Sequence, residues 1–117
     1  MAQFDQRGQQ VTNQYNAGRD MNFGAVQTPI DLIAELEKLK HEFARAAEAS
    51  IVSEDTAVDA EYQMTKAIQQ AKKPEPDKKT IVDHLNTAKV LVEDIAAASG
   101  LVTALISAAE VVQKLFS

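Results

Sequence analysis

From Leu32 onward, apolar residues recur at alternating steps of four and three: Leu32, Leu36, Leu39, Phe43 and Ala46. An α-helix turns once every 3.6 residues, so this spacing draws one apolar stripe down one side of a helix. A half-buried strand would need a period of two. The same rhythm returns in Ile81, Leu85, Ala88, Val92 and Ile95. It returns again in Val102, Leu105, Ala109, Val112 and Phe116. Such stripes leave water only by facing one another, so the chain must stack its helices.

Helix ends are marked as clearly as helix faces. Thr28-Pro29-Ile30-Asp31 supplies a hydroxyl cap, a proline at the first helical position and an acid in the first turn. Ser53-Glu54-Asp55 repeats the pattern of cap followed by acids, and Asp77 is the next candidate cap. Pro74 and Pro76 stiffen the connector before Asp77. These signals predict helices over about 29–49, 54–72, 78–98 and 101–116. The second helix shows the least regular face, read as Val58, Tyr62, Met64, Ile68 and Ala71. Ser99-Gly100 is read as the point that ends or kinks the third helix.

Composition changes abruptly at Thr28. Residues 1–27 hold six Gln, three Asn and three of the four Gly, and their charges cancel. Residues 28–117 carry the whole net charge of −5. Gln14-Tyr15-Asn16 and Met21-Asn22-Phe23 alternate polar and apolar side chains, and Asn16-Ala17-Gly18 between them is turn chemistry. The fold expected is therefore mainly α: a three- to four-helix antiparallel bundle over 28–117, preceded by a short β-hairpin or β-arch within 1–27. A lone hairpin is marginal in water. Two outcomes stay open for it, a polar tail or strand pairing with copies from other chains, which Asn/Gln ladders favour.

The run Gly8-Gln9-Gln10-Val11-Thr12-Asn13-Gln14-Tyr15-Asn16-Ala17-Gly18-Arg19-Asp20-Met21-Asn22-Phe23-Gly24 resembles the short N-Q-x-N-x-A-G-D elements of bacterial signalling and conflict proteins. In those proteins the element sits beside small helical domains or STAND-type switch proteins. It is also loosely similar to amyloid signalling motifs related to the RIP homotypic interaction motif. The helical part from Lys73 to Phe116 is similar to helical tails of the same broad group. Here Arg19 separates Gly18 from Asp20. The resemblance implies self-association and adaptor-type signalling, with a larger signalling protein as a further partner.

Chemistry-bearing constellations are sparse. With no Cys there is no thiol nucleophile, disulfide or thiolate metal site. A pI near 4.9 argues against a nucleic-acid partner. No phosphate-binding glycine loop or nucleophile elbow is present. His41 lies opposite the Leu32–Leu39 stripe and reads as solvated, four residues after Glu37; His84 reads as a partly covered surface residue. Neither has Glu three positions before it, as a di-iron bundle would require. Glu54, Asp55, Asp59 and Glu61 read as a solvated helix start rather than a carboxylate pair. Lys72, Lys73, Lys78 and Lys79 read as a solvated connector. No catalytic, cofactor-binding or metal residue is assigned, and the chain is read as non-enzymatic.

What remains is association. The self-assembly residues read from the N-terminal element are Val11, Gln14, Tyr15, Asn16, Met21 and Phe23. The last helix is apolar on more than one side, which points to a helical interface at Leu101, Leu105, Val112, Leu115 and Phe116. The function expected is a homo-oligomerising interaction or adaptor module. The alternative is a membrane-acting effector that opens helices 3 and 4. Residues 1–10 have no apolar signal region, and the apolar stretch Ile95–Ala109 falls short of the roughly 20 residues that span a bilayer. The reading places the protein in the cytoplasm.

Overall fold

The computed structural model describes residues 22–116, and these are mainly helical. Four helices follow one another: α1 (Pro29–Glu48), α2 (Glu54–Ala71), α3 (Lys78–Val92) and α4 (Ser99–Leu115). The hairpin expected around Gly18 lies outside the described residues. Within them, Asn22 and Phe23 were expected on a strand. The structure instead turns Phe23–Ala25 into a single 3₁₀ turn.

The three expected caps all form. Thr28 Oγ1 accepts the Asp31 backbone N–H at 3.1 Å, and Ser53 Oγ accepts that of Thr56 at 3.1 Å. Asp77 Oδ1 accepts the Lys79 N–H at 3.2 Å, while its other oxygen takes the Thr80 hydroxyl at 2.7 Å. The three N–H bonds each satisfy a helix donor that has no partner inside its own helix. At the other end of α1, Ile51 N–H reaches Ala46 O at 2.8 Å and Ser50 N–H reaches Ala47 O at 3.0 Å. This pair of bonds is a Schellman closure, and it places Ser50 at φ 62°. Glycine is the usual residue there, because a Cβ is strained in the left-handed region.

Short connectors leave each helix beside the next and running back along it. α1 packs on α2, α2 on α3, and α3 on α4; α4 then returns to α1 in the least extensive of the four contacts. The core is the inside of this ring. Leu32, Leu36, Leu39 and Phe43 fill it from α1, Met64 from α2, Ile81, Leu85 and Val92 from α3, and Leu101, Leu105 and Val112 from α4. Burying each such side chain is worth about 1.5–3 kcal/mol.

Two helix readings need correction. The buried face of α2 is Ala57, Ala60, Met64, Ala67, Ile68 and Ala71, whereas Val58 and Tyr62 are 63% and 57% exposed. Four alanines let α2 lie close between α1 and α3, where a larger side chain would hold the backbones apart. Tyr62 is partly covered by the Lys66 ammonium, 5.4 Å from its ring centre.

The third helix ends at Val92 rather than near residue 98, so Gly100 breaks nothing and sits in the first turn of α4. Glu93 and Asp94 stand where the helix dipole is negative, which disfavours continuation. Ile95 is extended, and a 3₁₀ turn at Ala96–Ala98 leads into α4.

Ser50→Gly is expected to raise stability by about 0.5–1 kcal/mol, read as a shift of the urea midpoint at constant slope. Asp77 supplies a second prediction. The Thr80 hydroxyl, then the Lys79 and Thr80 N–H groups and the Lys79 charge, together hold its carboxyl below the ordinary value against a smaller opposing desolvation. A carboxyl lowered by folding stabilises above its unfolded pKa, and that gain is lost as pH falls through its folded pKa. Thermal melts below about pH 4 should therefore lose less stability in Asp77→Asn than in the parent chain. Parallel losses would contradict this role of Asp77.

Candidate functional site

Among the described residues, the closest approach to a built site is where the segment before α1 meets the α1–α4 seam. In a 3₁₀ turn, side chains three apart share a side. Phe23 and Val26 are so spaced, and both pack into the core cluster; Phe23 is only 5% exposed. The turn packs on α4. Its backbone is held to α1. Asn22 N–H donates to Glu35 Oε1 at 2.9 Å, and Gln27 N–H donates to Asp31 Oδ2 at 3.3 Å. Glu35 Oε2 also accepts Lys38 Nζ at 3.0 Å, and its side chain is 14% exposed. The residues Asn22–Gln27 thus form a strap across the seam.

A shallow depression of about 240 Å³ opens beside the strap, lined by Asn22, Ala25, Val26, Asp31, Ala34 and Glu35. Its two carboxylates are engaged by the strap's own N–H groups. Further along the same edge of α1, Glu42 is the one buried charged residue among those described; its Oε2 takes Arg45 Nη1 at 3.0 Å. Burial of a carboxylate is tolerated when it is paired in this way.

The other candidate positions disperse. His41 is exposed, and Glu37 reaches toward Lys72 of the α2 cap at 4.0 Å. Both partners of that pair are half-exposed, so it adds at most about 1 kcal/mol. His84 is half-buried, with Nδ1 2.7 Å from Gln63 Oε1; as a hydrogen bond this takes the Nδ1–H tautomer and ties α3 to α2. Glu54, Asp55 and Asp59 are exposed on the first turns of α2, with Glu61 half-buried. Among the described residues no group of three His, Cys, Asp or Glu is placed to hold a metal ion.

The expected association residues fare unequally. Val11, Gln14, Tyr15, Asn16 and Met21 lie outside the described residues. Phe23, expected to pair between chains, is seated inside its own bundle. Leu101, Leu105 and Val112, expected at an interface between molecules, are buried within the four-helix core. Leu115 and Phe116 are half-buried and pack against the same cluster. Val102 and Ala109, read from the sequence as part of the inward stripe, pack only partly buried against the core about a quarter turn away from it, and Ile106 on the same flank is 44% exposed. That flank follows from helical spacing once the buried stripe is known, but the sequence alone does not say which of two apolar stripes turns inward.

Ile95–Ala109 was judged too short to span a bilayer. The structure continues the apolar run through the 3₁₀ turn and α4, giving twenty residues, Ala96–Leu115, whose most apolar window has a mean hydropathy of 1.4. By length and composition this stretch could cross a membrane, and one third of its most apolar window is buried in the bundle. No family model, curated protein or solved structure matches the chain.

Proposed function

We propose that the protein is a non-enzymatic, cytoplasmic interaction module that self-associates through its N-terminal Asn/Gln/Gly-rich element, as an adaptor in bacterial signalling or defence. The observation that carries this reading is the division of labour along the chain. Residues 22–116 bury their own stripes completely enough to need no partner for the core. All four helices of the described core lie after Thr28, and the Asn/Gln/Gly-rich run ahead of the strap differs from them sharply in composition. The composition of that run suits ladders of like side chains between chains. The strap supports the reading further, because it would fix such an element to a rigid body at one defined seam. A larger signalling protein would then be recruited through the assembled element.

A second reading has one observation in its favour. The Ala96–Leu115 stretch is long and apolar enough for a bilayer. A membrane-acting effector would have to lift α4 out of the ring, exposing Leu101, Leu105 and Val112.

Absolute mass from light scattering separates these. The cut belongs before Asn22 rather than at Thr28, because removing Phe23 would take an aromatic out of the core. The full chain is expected to be a defined oligomer, and the chain starting at Asn22 a helical monomer. Arg19→Pro in the full chain should lower the mass, since proline removes a strand N–H. Equal masses for full and shortened chains would overturn the reading. Leakage of vesicles by the full chain would then favour the effector.

A further inference from the structure

A ring of four consecutive helices has three neighbour contacts backed by connectors and one that is not. In this chain the unbacked contact is α1–α4, and it is also the least extensive. We propose that the Asn22–Gln27 strap is a latch that holds α4 in the ring, so that unseating the strap loosens α4 ahead of α2 and α3. The inference stands apart from self-association, since it concerns only the strap and the seam it crosses.

Three features carry it. The strap grips both sides of the seam. Phe23 packs in the core with the turn against α4, while Asn22 and Gln27 donate backbone N–H groups to Glu35 and Asp31 of α1. Its fastenings are few and superficial, because both of those hydrogen bonds are exposed and only Phe23 is fully buried. The strap can therefore peel without dismantling α2 or α3. Finally, α4 is the element whose release changes the surface most. Its only charges are Glu110 and Lys114, and its inward face is Leu101, Ala104, Leu105, Ala108 and Val112. Freed from α1, it would present an apolar face that the latched protein hides.

The chain contains no cysteine, so one introduced thiol reports local opening without background. Ala108→Cys places it on the buried face of α4, and Ala60→Cys, in a separate full-length chain, on the buried face of α2. Both positions are fully buried. Labelling by a thiol-reactive dye is measured in native buffer, with and without Phe23→Ala. The latch predicts that Phe23→Ala speeds labelling at position 108 by about tenfold or more, and changes labelling at position 60 by less than about twofold. Equal acceleration at both positions would mean general loosening and would overturn the proposal. No acceleration at position 108 would overturn it as well. Should Phe23→Ala lose its helical circular dichroism, Glu35→Ala carries the test. That change removes the acceptor for Asn22 N–H and leaves Phe23 in place, and the same contrast between positions 108 and 60 is required.

Discussion

Closing the ring between α1 and α4 is the constraint on which this structure depends. Connectors keep α1 near α2, α2 near α3 and α3 near α4 whatever their faces do. Nothing covalent keeps α4 near α1. That seam relies on packing, and the segment ahead of α1 reinforces it with Phe23, Val26 and two N–H groups given to α1 carboxylates. Because Glu35 is itself held by Lys38, its partly covered carboxylate is satisfied from two sides. The folded body therefore includes residues from Asn22 on, ahead of the composition change at Thr28.

Much of the helical body was legible because its signals are local. A hydroxyl or carboxylate cap acts within three residues, and a stripe of large side chains declares its own period. So Thr28, Ser53 and Asp77 cap where expected, and the faces of α1 and α3 turn inward as far as Val92. What failed was whatever depended on neighbours. Val58 and Tyr62 outrank Ala57 and Ala60 in hydrophobicity, yet close approach of α2 to α1 and α3 selects the alanines. Ser50 adopts a left-handed conformation that the Schellman closure of α1 imposes and a serine does not advertise. Gly100 looked like a helix break, but the acids Glu93 and Asp94 stop α3 first. Phe23 sits in an Asn/Gln-rich run that resembles strand sequence, and its destination inside the bundle follows only from the open seam.

Function was less legible for a related reason. Leu101, Leu105 and Val112 looked surplus because the last helix is apolar on more than one side, but the ring buries them all. What stays exposed is Ile106, beside the partly covered Val102 and Ala109. Apolar excess on a single helix therefore pointed to burial, not to the site of burial. The two functional readings meet at the strap. One places the active surface before Asn22, the other on α4, and the strap is the segment that physically joins them.

Native-state amide hydrogen exchange, followed residue by residue in low denaturant, tests the weakness of the α1–α4 seam most directly. The strap and the amides of Leu105 and Ala108 should exchange through a partial opening. That opening should have a smaller free energy and a smaller denaturant slope than the one exposing Leu36, Leu39, Met64 and Leu85. A single common free energy and slope for all four helices would contradict it, showing a ring that opens only as a whole.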